Sequence, residues 1–361
     1  MTRGISLWLD LLRVIATFVV VISHWAYPRF TGGDFIIIRE WNLGSDAVIV
    51  FFVISGLVIA YAAERDGDGG TFVFNRLTRL WSVMLPALLL TLVFDSVGNR
   101  IDPSAYPGNF YQPHPIAEFL TRGLTFSNEF QLFDRLRLGT NGPLWSLSYE
   151  AAYYALFAAV VFLSGATRIA AIIAMIVVFG LPILLLLPAW LMGVFVWHAL
   201  RDERFMPLAG ALAWAMAVGA PLLYAAATVL GLPQVILAMT ANALNVPDAR
   251  LVLGFSDEFI WNNVIGLLTA VHILGMAAIM RDRARLRLPG IKWCAGASFS
   301  LYVTHYPALH LIDALLPQAM IGRYALLLAG SIAVGFVFAE LFERTLGRVR
   351  AVLRGLHPAQ T

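Results

Sequence analysis

The chain has 361 residues, of which 60% are hydrophobic and only 13% are charged. Soluble domains carry about 25% charged residues, so a chain this long and this apolar must expose most of its surface to lipid. The net charge of +3 comes from arginine, because Lys292 is the only lysine, and it indicates a positive-inside bias rather than nucleic-acid binding. The single cysteine, Cys294, excludes an internal disulfide framework.

Apolar stretches long enough to cross a bilayer recur along the chain, and they predict an all-α integral membrane protein of about ten transmembrane helices. We expect one polytopic domain over residues 1–361, with the fifth and sixth helices separated at Leu187–Pro188, since proline interrupts a helix. The predicted spans lie near residues 6–27, 44–63, 79–97, 143–165, 169–187, 188–200, 207–230, 258–280, 295–316 and 322–342.

The basic residues predict the orientation of these helices. With the N-terminus inside, the cytoplasmic segments together with the adjoining Arg79 hold 16 of the 25 Lys and Arg residues, including the tail 343–361 and the cluster Arg281, Arg283, Arg285, Arg287 and Lys292. Both termini are therefore expected in the cytoplasm, and the protein in the cytoplasmic membrane as a multi-pass chain.

A long outer loop over residues 98–142 separates the third and fourth predicted helices. Its part 116–133 mixes apolar and polar residues at helical spacing, which favours a helix along the membrane interface. The loop could shape an acceptor site or serve only as a connector. It carries aromatic and amide side chains, namely Tyr106, Phe110, Tyr111 and Gln112.

The first predicted helix contains three titratable residues, which are costly inside a membrane and therefore indicate function. Arg13 and His24 are 11 residues apart, so they share one helix face and lie about 16 Å from each other along the axis. Asp10 lies three residues before Arg13 and can pair with it. The alternatives are a paired structural arginine and a packed interfacial histidine.

Further polar residues lie in later segments. Arg76 and Arg79 follow the second helix in an inner loop, one turn apart if helical, and two such guanidinium groups suit phosphate, although they could equally anchor the inner face. In the second helix, Ser55 and Gly56 allow close helix packing, which is the simpler interpretation of both. Asp46, near the outer start of that helix, could be solvated.

Two more candidates come from the fourth and ninth helices. Glu150 lies one to two turns inside the outer face, close to the depth expected for His24, and a buried carboxylate needs a partner. His305 falls in the middle of the ninth helix. It could belong to the site or only form a hydrogen bond within the bundle.

Together these patterns resemble the membrane acyltransferase-3 family. The resemblance rests on Arg13 and His24 with ten residues between them, and on residues 51–56, 76–79, 145–150 and 298–305, in the family's order over almost the whole chain. It implies transfer of an acyl group, usually acetyl from acetyl-CoA, to a hydroxyl of a cell-surface or exported carbohydrate. Some relatives acylate macrolides or other small molecules instead. No metal is expected.

The sequence departs from the family pattern in two respects. Many members have an acid two positions before the first Phe of residues 51–56, whereas Ile49 stands here and Asp46 is the nearest acid. Some members also end in a soluble esterase-like domain, whereas this chain stops soon after the tenth helix. We therefore expect it to pass the acyl group directly to its acceptor, or to a separate extracytoplasmic partner protein.

The resemblance and the topology give a mechanistic hypothesis. Arg76, Arg79 and the 281–292 cluster would bind the phosphates of acyl-CoA, and the pantetheine arm would pass Arg13. His24 would act as general base, because imidazole has an ordinary pKa of about 6.5. A covalent acyl-histidine is the alternative. The remaining expectations are that Glu150 orients His24 or binds the sugar, that His305 contacts the donor, and that the acceptor contacts are Trp145, Ser148 and Asp46.

Two other functional classes fit the composition. A secondary transporter would also have about ten helices with intramembrane Arg, His and Glu, but the hydropathy contains no inverted repeat. A non-enzymatic scaffold or polysaccharide-export component would gain nothing from several buried titratable residues. The expected partners are thus acyl-CoA, a carbohydrate or small-molecule acceptor and membrane lipids, and no nucleic acid.

Overall fold

The computed structural model of the protein describes residues 2–108, 110–202, 210–281 and 288–356. These residues form helices and the segments that connect them, and none of them lies in a β-strand. The helices are α1 (Arg3–Trp25), α2 (Leu43–Asp66), α3 (Gly69–Ile101), α4 (Ile116–Leu124), α5 (Trp145–Phe162), α6 (Gly165–Phe179), α7 (Leu181–Arg201), α8 (Gly210–Val229), α9 (Leu232–Ala243), α10 (Phe259–Ile279), α11 (Ser298–Leu315), α12 (Arg323–Phe338) and α13 (Leu346–Leu356). Shorter helices lie at Pro28–Thr31, Ile36–Glu40, Ala249–Leu253 and Pro289–Ala295.

Within the described ranges, eight helical segments are long and apolar enough to cross a membrane. Five are α1, α2, α3, α7 and α8, and the other three join α5, α10 and α12 to adjoining helical turns, over Gly142–Phe162, Ala249–Ile279 and Arg323–Val352. The all-α integral membrane fold is confirmed. The other two predicted spans correspond to α6, which has 15 residues, and to α11, which has 18. Most of α11 is buried, and it packs against α1, α3 and α12. We call the end of the bundle at which α1 begins proximal, and the end at which α1 ends distal.

The break between α6 and α7 lies at Gly180, so the predicted break at Leu187–Pro188 is wrong. Gly180 has a φ of 80°, in the left-handed region that glycine enters without steric cost. Pro182 lies in the first turn of α7. A backbone N–H there would have no partner within the helix, so proline loses no hydrogen bond at this position. Pro188 lies inside α7 without ending it.

The helix α3 begins ten residues before the predicted start of the third span. The Asp68 side chain caps it by accepting a hydrogen bond from the Thr71 backbone N–H at 2.9 Å. Arg76 and Arg79 therefore lie inside a helix, not in an inner loop. The predicted interfacial helix 116–133 is also shorter than expected, because it ends at Leu124.

Parts of three predictions fall outside the described residues. They are the middle of the basic cluster, with Arg283, Arg285 and Arg287, the start of the seventh predicted span, residues 207–209, and the end of the basic tail, residues 357–361.

The core of the bundle includes a close contact between α2 and α7. Gly56 faces the backbone of α7, where an added β-carbon would overlap the Trp190 carbonyl oxygen. Gly193 faces α2 in the same way, against the Val53 carbonyl oxygen. The expected packing role of Gly56 is confirmed, and the two helices approach as closely as their backbones permit.

Candidate active site

The three arginines singled out from the sequence line one cavity of about 100 Å³. Arg13 comes from α1, and Arg76 and Arg79 come from one face of α3, as their spacing predicts. Ser55 of α2 and Glu150 of α5 lie in the wall of the same cavity. We call it the arginine cavity, and its lining carries three positive charges and one carboxylate.

The arginines differ in their surroundings. Arg13 Nη1 lies 3.4 Å from Asp10 Oδ1, which confirms the predicted pair. Arg76 is 7% exposed, and its Nε has no hydrogen-bond partner among the described residues. Arg79 is exposed. Because burying a guanidinium without a full set of acceptors is costly, the cavity is suited to an anion.

Glu150 contacts neighbours other than the predicted one. Its carboxylate accepts a hydrogen bond from Ser55 Oγ at 2.6 Å and another from the Tyr154 hydroxyl. No hydrogen bond joins Glu150 to His24, so the expected pairing is corrected. The reason is direction: α5 turns Glu150 towards α2, whereas α1 turns His24 towards α11. Equal depth in the membrane does not make two side chains face each other.

The partner of His24 is His305. His305 Nε2 lies 3.1 Å from His24 Nδ1, which is also 3.0 Å from the Val20 carbonyl oxygen. His305 Nδ1 lies 3.0 Å from the Leu301 carbonyl oxygen. Because carbonyl oxygens only accept, both Nδ1 atoms carry the proton in the neutral rings. His305 Nε2 then accepts from His24 Nδ1–H, and the lone pair of His24 lies on Nε2.

His305 contacts His24 and does not line the arginine cavity, so its predicted contact with the donor stays a prediction. Tyr302, one turn before His305 on α11, borders both the arginine cavity and the His24–His305 pair. Its ring lines the cavity and lies 6.2 Å, between centroids, from the His305 ring. The Tyr302 hydroxyl donates to the Pro143 carbonyl oxygen at 2.9 Å. Sequence reasoning missed Tyr302, although its i, i+3 spacing from His305 puts it on the same face.

The structure does not bring Trp145, Ser148 and Asp46 together as an acceptor site. The Trp145 ring stacks on Phe255, with centroids 4.5 Å apart. Ser148 Oγ is fully buried, 2.7 Å from Asn128 Oδ1 and 2.5 Å from the Phe126 carbonyl oxygen. Both residues therefore pack the bundle and its distal loop.

Asp46 lies in a different cavity, of about 430 Å³, between α1, α2, α8 and α10. It is buried, not solvated, and accepts a hydrogen bond from the Tyr224 hydroxyl at 2.7 Å. Its neighbours in that cavity are mostly apolar side chains.

On the distal side, aromatic rings surround His24. The Tyr306 ring centroid is 4.7 Å from that of His24, and the Tyr27 centroid is 6.0 Å away. Phe110, from the loop 98–142, meets the Tyr306 ring at 5.9 Å. The expectation that this loop helps to shape the surroundings of His24 thus rests on Phe110.

Comparison with known proteins agrees with the resemblance drawn from the sequence. A family model described as the acyltransferase domain of the acyltransferase-3 family matches residues 6–340. Acyltransferase MdmB of Streptomyces mycarofaciens is 28% identical over 149 residues, which are 40% of this chain and 36% of that protein. An O-acetyl transferase of Shigella phage Sf6 is 25% identical over 146 residues, 40% of this chain and 43% of the relative.

The matched stretches thus span less than half the length of either relative. No solved structure matches the chain. The family model nevertheless covers nearly all of the sequence, including every candidate site residue. The chain therefore belongs to the acyltransferase-3 family, as a multi-pass membrane protein.

Proposed function

We propose that this protein is an O-acyltransferase that moves an acetyl group from acetyl-CoA to a hydroxyl of a cell-surface or exported carbohydrate, at the distal side of the membrane. The observation that carries the proposal is the His24–His305 pair, which leaves a lone pair on His24 Nε2. No described residue forms a hydrogen bond with that nitrogen. An imidazole so arranged is suited to accept a proton from a hydroxyl.

The arginine cavity supports an anionic donor. Coenzyme A carries phosphates, and the guanidinium groups of Arg76 and Arg79 bind phosphate well because each offers several N–H donors. Arg13 lies nearer the proximal end of α1 than His24 does, and the helix rise separates the two residues by about 16 Å. This span is of the order of an extended pantetheine arm, so a donor bound at the arginines could present its thioester near the histidines.

The reaction follows from these positions. His24 Nε2 takes the proton of the acceptor hydroxyl while the oxygen bonds to the acyl carbon. The carbon–sulfur bond breaks, and the CoA thiolate leaves with the electron pair. The imidazolium then returns its proton to the thiolate, so that ester and CoA–SH are the products and His24 is neutral again. His305 would stabilise the imidazolium through the hydrogen bond that it accepts.

The test uses purified full-length protein in lipid nanodiscs, with radiolabelled acetyl-CoA and a glycan and metabolite extract of the host. We expect His24→Gln to lower label transfer by roughly 100-fold or more, the size of a general-base contribution. The matched control is His272→Gln, because His272 is also intramembrane but contacts Trp8 and the Ala217 carbonyl oxygen. Normal transfer by His24→Gln, or no transfer by the unmodified protein, would refute the proposal.

A further inference from the structure

Three arginines surround the distal side of His24. Arg39 lies 4.0 Å above the Tyr27 ring, measured from Cζ to the centroid. Arg29 lies 3.9 Å from the Phe110 centroid, and Arg137 lies 4.5 Å from that same centroid. We call this group the distal vestibule, and its members are Tyr27, Arg29, Arg39, Phe110, Arg137 and Tyr306.

Carboxylates do not pair directly with these charges, although Glu129 lies near enough to Arg137 for a longer-range attraction. In the described ranges, none of the three arginines forms an ion pair. Arg39 donates to Ser23 Oγ and to the Tyr27 hydroxyl, which hold it in position. The guanidinium groups of Arg29 and Arg137 lie over aromatic rings and form no hydrogen bond with the described residues, and both residues are exposed.

Two like charges over one ring repel each other. Each guanidinium gains about 0.5–1 kcal/mol from an aromatic face at an exposed site, and the ring stays in place because Phe110 also stacks on His310. An anion between Arg29 and Arg137 would remove the repulsion and would receive charge-assisted hydrogen bonds from both. The arrangement is therefore preformed for one negatively charged group.

The vestibule adjoins the proposed base. Tyr27 and Tyr306 both contact the His24 ring. Tyr27 also lies beneath the Arg29 guanidinium, and Tyr306 also contacts Phe110. The donor phosphates have their own cations at Arg76 and Arg79, on the other side of Tyr302. An anion held by Arg29 and Arg137 would thus belong to the second substrate.

We infer that the acceptor is an anionic molecule, whose phosphate or carboxylate binds between Arg29 and Arg137 while its hydroxyl faces His24. This inference rests on the proposed function and deepens it, since it assigns the chemical class of the acceptor. Arg39 contributes a third positive charge beside the Tyr27 ring. A neutral sugar or macrolide would leave all three guanidinium groups without an anionic partner.

The first experiment sorts the acceptor by charge. Nanodisc-embedded protein is incubated with radiolabelled acetyl-CoA and the host's glycan and metabolite extract, and the products are separated by anion exchange. Because unreacted acetyl-CoA and acetate are also anions, label counts as product only where it elutes apart from both and is absent from the His24→Gln reaction. We expect this product label in the retained fraction. Product label only in the unretained fraction would overturn the inference and leave the proposed function standing, whereas no product label in either fraction would refute both.

Two treatments then identify the anion. Phosphatase or mild acid would release the labelled product from the column if the charge is a phosphate. Carbodiimide activation followed by borohydride reduction would release it if the charge is a carboxylate. A product that stays bound after all treatments would carry another anion and would overturn the assignment to these two groups.

The second experiment tests the arginines. Loss of one charge-assisted contact should raise the KM for the retained acceptor roughly 10-fold in Arg29→Gln and in Arg137→Gln, with the KM for acetyl-CoA unchanged. Arg100→Gln is the matched control, because Arg100 is an exposed arginine at the distal end of α3 outside the vestibule. An unchanged acceptor KM in both variants would overturn the inference, even if transfer itself is normal.

Discussion

His305 Nε2 lies 3.1 Å from His24 Nδ1, although 281 residues separate the two in the chain. Each ring is also tied to a carbonyl oxygen of its own helix, Val20 for His24 and Leu301 for His305. The pair therefore has one consistent proton order, in which His305 can only accept from His24. We treat His305 as a positioning residue, since it acts on the substrate through His24.

Replacing His305 should lower turnover without weakening donor binding. His305→Leu removes the acceptor for His24 Nδ1–H, and we expect kcat to fall roughly 10- to 100-fold with an unchanged KM for acetyl-CoA. His305→Gln keeps an acceptor oxygen and should retain more activity than the leucine variant. Steady-state kinetics on both variants make the test. A raised KM for acetyl-CoA with normal kcat would instead support direct contact with the donor.

The arginine pair of α3 should govern donor affinity. We expect Arg76→Gln with Arg79→Gln to weaken coenzyme A binding roughly 10- to 100-fold, since each charge-assisted hydrogen bond contributes about 1.5–3 kcal/mol. The loss from Arg79 should shrink at high salt, because Arg79 is exposed. Calorimetric titration with coenzyme A measures both. Arg65→Gln is the control, as Arg65 pairs with Asp66 outside the arginine cavity, and equal affinities in all variants would exclude this phosphate site.

Glu150 should not influence the titration of the base. Its carboxylate accepts from Ser55 and Tyr154 and has no hydrogen bond to His24. We therefore expect Glu150→Gln to keep the unmodified pH dependence of kcat, whatever its effect on donor affinity. A displaced pH profile would mean that Glu150 reaches His24 during the reaction.

Ser148 should matter for stability. Its buried hydroxyl bonds to the loop at Phe126 and Asn128, so Ser148→Ala leaves at least one buried group unsatisfied at a cost of about 1–3 kcal/mol. Thermal unfolding in detergent should show a lowered Tm, while the folded fraction keeps its acceptor KM. Thr167→Ala, at an exposed position, is the control. An unchanged Tm with a raised acceptor KM would restore the predicted binding role.

Glu129 should make stability depend on pH. Burial in the distal loop raises its pKa to about 7, against a smaller opposing effect of Arg135. The folded protein therefore holds a proton that the unfolded chain releases near its ordinary pKa, so stability declines as pH rises from about 4.5 to about 7. Glu129→Gln should remove this decline and raise Tm at pH 8 but not at pH 4.5. Glu118→Gln, on the exposed side of α4, is the comparison, and identical Tm curves would contradict the prediction.

The sequence predicted much of the architecture because hydropathy and helical spacing are local signals. Arg13 with Asp10, and Arg76 with Arg79, came out as expected because the members of each pair are three residues apart on one helix. The partner of His24 could not be found in this way, since it depends on how α1 and α11 rotate against each other. Glu150 was misplaced for the same reason: its depth was predictable, but the direction in which α5 turns it was not.

Two further differences have local causes that hydropathy does not register. Asp68 caps α3 well before the apolar stretch begins, so the helix includes the arginines that an apolar window leaves out. Gly180 ends α6 because its positive φ breaks the helix. The sequence prediction instead placed the break at Pro188, because proline is the stronger signal in the sequence.

The close approach of α2 and α7 at Gly56 and Gly193 bears on the shape of the arginine cavity. Ser55, the residue next to Gly56, donates a hydrogen bond to Glu150 in the wall of the arginine cavity. The packing of α2 against α7 therefore sets the position of that wall. A methyl group at either glycine would push α2 away from α7 and towards that cavity. The width of the arginine cavity is therefore set partly by the spacing of α2 and α7, at a place that lies outside the cavity lining.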